Sequence, residues 1–242
     1  PGPPLGNQVI GFSAAAKAYG QQTLFQNLDF RVPKGAIVGI IGPNGTGKTT
    51  LMRLITGLES PDAGSVEIGE SVKLSYVDQE RAAIAGDVSL IDEVGGGAEE
   101  VSVGRQTVPI RKYLARFGFR GADQQKKANE LSGGERNRCN LAKLLKDGGN
   151  VLLLDEPTND LDVNTLRLLE EALLEYSGCA LVISHDRFFL DRVCTHMLVF
   201  EGTGQVRWFE GNYQEYEEWR KRELGSGLFE NRRSRYRKIV KS

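Results

Sequence analysis

The 242-residue sequence has no run of 18 apolar residues, so no segment of it is expected to cross a bilayer as a helix. It also shows no secretory leader, and the expected location is the cytoplasm, in soluble form. Cysteine is scarce. Cys139, Cys179 and Cys194 fall within helix or strand patterns instead of at metal-ligand spacings, and they read as reduced core thiols. Histidine is scarcer still, with only His185 and His196, and no stretch of the sequence repeats another. A net charge of −1 excludes a uniformly basic surface but hides an uneven spread. Residues 220–242 carry nine Lys or Arg and two Glu, a local +7 against −8 for the rest.

Residues 37–41 (Ile-Val-Gly-Ile-Ile) form a short apolar run, as expected of a strand buried on both faces of a parallel sheet. Gly42-Pro43-Asn44-Gly45-Thr46-Gly47-Lys48-Thr49 follows, and Lys48 to Ile55 then has helical spacing. This strand, loop and helix order is what a phosphate-binding loop requires. Its glycines let backbone N–H groups turn toward an anion in front of a helix N-terminus. Lys48 suits the β- and γ-phosphates, while the hydroxyl of Thr49, followed by Thr50, suits Mg²⁺. A merely flexible glycine loop is the plainer alternative.

Val151 to Leu154 is a second buried run, ending in Asp155-Glu156. A carboxylate at the carboxyl end of a parallel strand stands where open α/β sheets bind ligands. Asp155 is the expected Mg²⁺ holder and Glu156 the expected base for an attacking water. The bland alternative is a helix cap, since Pro157-Thr158-Asn159-Asp160 has capping chemistry of its own. His185 follows a third run, Ala180 to Ser184, on the same expected edge, which favours a γ-phosphate contact over a structural role. Gln79, after Leu74 to Val77, suits a Mg²⁺ or water contact or is an ordinary surface amide. No role is expected for His196. Leu131-Ser132-Gly133-Gly134-Glu135 precedes a helical run from Arg136 to Lys146. It can cap that helix and, through the same hydroxyl and N–H groups, bind an anion.

In this order the five pieces resemble an ATP-binding cassette. The resemblance implies a P-loop NTPase fold of the α/β class: a mixed, mainly parallel central sheet with flanking helices, an antiparallel β subdomain and a helical subdomain. It implies ATP with Mg²⁺, Tyr19 stacked on adenine, and ATPase activity that needs a second cassette packed head to tail. Ser132, Gly133, Gly134 and Glu135 would then face the nucleotide held by that partner. Thr158-Asn159 ahead of Asp160-Leu161-Asp162, and Phe209-Glu210-Gly211-Asn212-Tyr213-Gln214-Glu215-Tyr216, resemble the ABC-F class in particular. Similarity to the second cassette of a bacterial ABC-F protein runs from Leu5 to Lys241 and implies ribosome, rRNA and tRNA as partners. It also implies action at the exit site during elongation.

Such proteins carry two cassettes, whereas this chain has one set of motifs, so it is read as a C-terminal half with an N-terminal cassette as its partner. Residues 1–7 read as the end of the inter-cassette linker, 8–222 as the cassette with its helical subdomain in 79–131, and 223–242 as a basic tail. Within the subdomain, Ile84 to Glu100 with Gly95-Gly96-Gly97 suggests a mobile loop. Glu217 with Lys221 and Glu218 with Arg222 are expected i,i+4 pairs, whereas Arg232 to Lys238 is either an RNA contact or a solvated end. Alone, the chain is expected to be a monomer, with an ATP-dependent dimer as the other outcome. The rival readings are an importer's ATP-binding subunit and a scaffold that binds ATP without turnover.

Overall fold

A computed structural model describes residues 4–6, 8–77, 87–103, 106–146, 149–159 and 161–233. The expected contact at Gln79, Asp160 of the Asp-Leu-Asp stretch, most of the linker remnant and the tail from 234 onward lie outside the described residues.

The amino-terminal strands β1 (Ile10–Tyr19) and β2 (Gln22–Val32) pair antiparallel, and β4 (Ala63–Ile68) completes a three-stranded sheet in the order β2-β1-β4. The second sheet runs β11-β10-β3-β9-β8-β5. Its members are β3 (Ile37–Ile41), β5 (Leu74–Val77), β8 (Val151–Asp155), β9 (Cys179–Ile183), β10 (His196–Phe200) and β11 (Val206–Glu210). All its pairings are parallel except β10 with β11, so the edge strand alone runs against the others.

Both faces of this sheet are covered, which is why its strands read as unbroken apolar runs. Alternate residues face opposite layers. Leu152, Leu154, Ala180 and Val182 join a core with helices α4 (Gly133–Lys146), α5 (Val163–Leu174) and α6 (Arg187–Val193). Val151, Leu153, Leu181, Ile183, Val38 and Ile40 join a second core. There they meet α1 (Lys48–Ile55), through Leu51, Met52, Leu54 and Ile55, and the three-stranded sheet. The helix after the glycine loop is thus held between two sheets.

Residues 87–131 contain α2 (Leu90–Gly95), α3 (Ile110–Arg116), two short 3₁₀ turns and the ribbon β6 (Glu100–Val103) with β7 (Gln106–Pro109). The mobile loop expected from Ile84 is therefore corrected over its described part. Ser89 caps α2 by accepting from the Asp92 N–H, Leu90 and Val94 are buried, and Gly96 at φ 64 ends the helix. The glycines there are a helix stop.

The last helix, α7 (Tyr213–Arg233), continues without a break past residue 222. Its expected i,i+4 pairs are corrected as well: Glu217 pairs with Arg220 at 3.2 Å, and Arg222 donates to the main-chain oxygen of Glu218 at 3.3 Å. The three cysteines are free and buried, and burial pushes the Cys194 thiol up to about 12.

Candidate functional site

Three chemically active segments, Gly42 to Thr49, Asp155-Glu156 and Ser184 to Asp186, follow β3, β8 and β9, which are neighbours in the sheet. Register explains the alignment. Ile40 lies level with Ile183 and Asp155 with Ile183, so the residues after each strand emerge together.

Beyond β3, Gly42, Gly45 and Gly47 all have positive φ, at 148°, 75° and 106°. A Cβ on Gly42 would lie 2.5 Å from the Phe200 carbonyl oxygen, so packing against β10 requires glycine there. Thr46 Oγ1 donates to the Pro43 oxygen at 2.8 Å and ties the loop to itself. Lys48, buried at 8% exposure, donates to the carbonyls of Gly42 at 2.8 Å and Pro43 at 2.9 Å. Burial lowers its ammonium pKa, and the carboxylates of Glu156 and Asp155 work against that shift. This is a cation held by the glycine loop at the start of α1, an arrangement that fits phosphate.

Thr49 Oγ1 donates to Asp155 Oδ2 at 3.0 Å, although 106 residues separate them in sequence. A hydroxyl and a carboxylate oxygen meeting beside the loop are the hard donors that Mg²⁺ prefers. Among the described residues no group of three or more His, Cys, Asp and Glu could hold a metal. Thr49 and Asp155 are thus the two side chains that would hold a Mg²⁺ here.

Glu156 adopts φ 49, a left-handed conformation rare for a side-chain-bearing residue, with its N–H bonded to the Ile183 oxygen at 2.9 Å. Such backbone costs on the order of 1–3 kcal/mol and persists where its surroundings hold it. Here it brings a carboxylate oxygen 3.3 Å from His185 Nε2. Burial raises the Glu156 pKa, while His185 pulls it down. His185 is itself fixed from both sides. Ser184 is fully buried and its hydroxyl meets that of Thr158 at 2.9 Å, and Asp186 caps α6 by accepting from the Phe189 N–H.

The Leu131 to Glu135 segment is a capping box. The Ser132 hydroxyl and N–H both donate to Glu135 Oε2, at 2.8 and 2.9 Å, and the Glu135 N–H donates back at 3.3 Å. These bonds, with Lys126 at 3.1 Å, hold the Glu135 carboxyl at about 2. Gly133 and Gly134 differ from the glycines of the phosphate loop. Neither has positive φ, and a Cβ on either would meet nothing within 4 Å.

Tyr19 ends β1 and is 48% exposed, with its hydroxyl on Glu59 and Lys17 above its ring. The turn it enters touches the phosphate loop through Gln22, which donates to the Gly45 oxygen at 3.1 Å. Sequence reasoning named Ser184, Thr158 and Asp162 without these contacts, in which Ser184 and Thr158 brace the start of the His185 segment, and it missed Arg138. The helix cap after Asp155 belongs to Asp162, which accepts from Asn164 and Thr165 N–H groups. Its other oxygen takes Arg138 of α4 at 3.1 Å, joining the capping-box helix to the segment after Glu156. The Asp-x-x-Thr spacing at Asp162 to Thr165 is a legible cap signal. The pairing with Arg138 has none.

The family model described as ABC transporter matches residues 25–159. The chain belongs to that family. Its fold, like the sequence reading, is that of the family's ATP-binding cassette, a mixed α/β sheet of the P-loop NTPase type. Among the described residues no helix is long and apolar enough to cross a membrane. The expected likeness to the ABC-F class is borne out. The chain is 55% identical over 241 residues to the energy-dependent translational throttle protein EttA of Escherichia coli K12, covering 100% of this chain and 43% of the relative. The EttA of Mycobacterium tuberculosis H37Rv is 53% identical over 244 residues, 99% of this chain and 44% of its own. The chain thus spans less than half the length of these curated relatives. A solved dimeric ATP-binding cassette, bound to ADP and Pi after hydrolysis, shares the fold. Its TM-score is 0.65 at 22% identity, covering 84% of this chain and 98% of that one.

Proposed function

We propose that this chain is the C-terminal, ATP-hydrolysing cassette of a two-cassette ABC-F translation factor. In this reading, the factor binds near the ribosomal exit site, contacts rRNA and tRNA, and couples hydrolysis to elongation. The observation that carries the enzymatic part is Glu156: strained backbone and a histidine neighbour aim a carboxylate beside the Thr49 and Asp155 pair.

Lys48 exchanges its two loop carbonyls for β- and γ-phosphate oxygens, and the loop N–H groups up to Gly47 complete the cradle. Tyr19 carries the adenine. Thr49 and Asp155 hold Mg²⁺, which when bound offsets phosphate charge. Glu156 takes the proton of the attacking water, helped by burial, which raises its pKa. His185 holds that carboxylate and touches the γ-phosphate. Ser132, Gly133 and Gly134 serve the nucleotide of the other cassette, so the chain alone binds ATP and turns it over slowly. The translational role is supported by the name of the relatives, and the tail beyond Arg232 supplies cations suited to RNA.

Glu156→Gln tests the chemistry. It removes the base and leaves Lys48, Thr49 and Asp155 in place. ATP affinity by titration is expected to stay unchanged while turnover in the full-length protein falls by roughly 10²–10⁴. Turnover at the normal rate removes Glu156 from the mechanism. Ribosome binding is checked by co-sedimentation, which is expected to weaken steeply as salt rises.

A further inference from the structure

Tyr19 is the one tyrosine among the large exposed side chains of the described residues, at 48% exposure. A ring at the end of a strand, half in water, ordinarily turns among several rotamers. Here it is fastened. Its hydroxyl donates to Glu59 Oε2, and the Lys17 ammonium lies over the ring, 5.5 Å from its centre. Lys17 takes one face of the ring, so a stacked base has the opposite face.

Glu59 is itself held by the helix that starts at Lys48. Beyond the end of α1, Gly57 turns the chain at φ 72, and the N–H groups of Leu58 and Glu59 both donate to the Arg53 oxygen, at 2.9 and 3.2 Å. The Arg53 guanidinium meets Glu59 Oε1 at 3.5 Å, while Lys17 lies 3.7 Å from Oε2. Lys17 is anchored in turn by Asp62 at 3.2 Å and by the Ser60 oxygen at 2.9 Å. With its side chain only 20% exposed, Glu59 thus joins β1, which ends in Tyr19, to the helix that begins with Lys48 and Thr49. Gln22 makes the second tie, from the turn after Tyr19 to the Gly45 oxygen at 3.1 Å. Ring and phosphate loop are parts of one braced unit.

We propose that Glu59 is a positioning residue for the nucleotide base. Its hydrogen bond fixes the Tyr19 ring at the orientation and distance from Lys48 that adenine needs when its phosphates lie in the loop. The inference rests on the reading of Tyr19 as the adenine platform. Ordering a side chain on binding costs affinity, and a ring already ordered avoids most of that cost. The Arg53 pair, on a half-exposed arginine, contributes little by itself. The bond to the hydroxyl is the contact that acts on the ring.

The test uses the full-length protein, with Mg·ATP and Mg·tripolyphosphate titrated separately by calorimetry. The second probe has the phosphates without the base. Any other site in the protein gives the same background in every variant. Glu59→Ala is expected to weaken ATP binding about fivefold and to leave tripolyphosphate binding unchanged. Tyr19→Phe removes the same bond from the other side and is expected to match that loss, with nothing added when the two are combined. Glu59→Gln keeps an oxygen that accepts from the hydroxyl and is expected to retain ATP affinity. Equal weakening of both probes would mean that Glu59 only holds α1 in place, and would overturn the proposal. Additive losses would overturn it as well, and so would a Glu59→Gln as weak as Glu59→Ala, since charge and not the bond would then matter. Tyr19→Ala is the control for the adenine reading. If it weakens ATP binding and Glu59→Ala does not, the positioning role is wrong and the platform stands. If it leaves both probes unchanged, the platform fails and takes the proposal with it.

Discussion

Two glycine-bearing segments, the phosphate loop and the start of α4, are built on opposite principles. In the phosphate loop, the chain's own fold demands glycine: three positive φ angles, and a Gly42 that any Cβ would drive into Phe200. Around Gly133 and Gly134 there is no left-handed backbone and no neighbour within 4 Å of an added Cβ. The first loop is finished within this molecule. In the proposed composite site the second is left open for the nucleotide of another cassette, which would account for glycines that cost helix stability and relieve no internal clash. The difference is that the fold of this chain requires the glycines of the first segment and does not require those of the second.

Substituting alanine into each loop separates the two principles. Gly42→Ala adds a methyl group against a backbone oxygen in disfavoured φ space. It is expected to destabilise the fold by about 2–4 kcal/mol, the combined scale of handedness and overpacking costs. Chemical denaturation measures this, and a wild-type midpoint would mean that the loop repacks freely.

A smaller effect lies in the capping box. Ser132→Ala is expected to cost about 1 kcal/mol at neutral pH. Glu135 sets the pH dependence. Its pKa is depressed from 4.5 to about 2 in the folded chain, so its stabilisation is fully present above pH 4.5 and lost as pH falls toward 2. The gap between wild type and Ser132→Ala should therefore narrow through that window in urea titrations. A gap that stays constant would show that the carboxylate adds nothing to the cap.

Gly133→Ala has the smallest effect on the fold and the opposite sign. A helical glycine with open space around it should become more stable as alanine, by up to about 1 kcal/mol. Turnover with the second cassette present is nevertheless expected to drop. Equal turnover would leave the open glycines without a purpose and erase the contrast between the loops.

Much of this architecture was legible because it is local. The runs 37–41 and 151–154 appear as β3 and β8, and the helical spacing from Lys48 to Ile55 matches α1. Unbroken apolar runs are what a sheet covered on both faces imposes on sequence. Reading failed where one pattern served two structures. Gly95-Gly96-Gly97 looks like a mobile loop until Ser89 is seen capping the turn that those glycines end. Glutamates four residues before cations look paired until α7 shows Glu217 reaching Arg220.

The sequence by itself determined the order of the chemical groups and the elements that carry them, because strand period, loop glycines and helix caps are set by near neighbours. Only the tertiary structure decided which groups meet. Thr49 and Asp155 touch across 106 residues because β3 and β8 flank β9 in register. Glu156 takes its left-handed turn and faces His185 because the Ile183 carbonyl captures its N–H. Arg138 finds Asp162 because α4 and α5 pack on the same face of the sheet. Such contacts depend on how layers stack, a long-range packing outcome that no local spacing encodes.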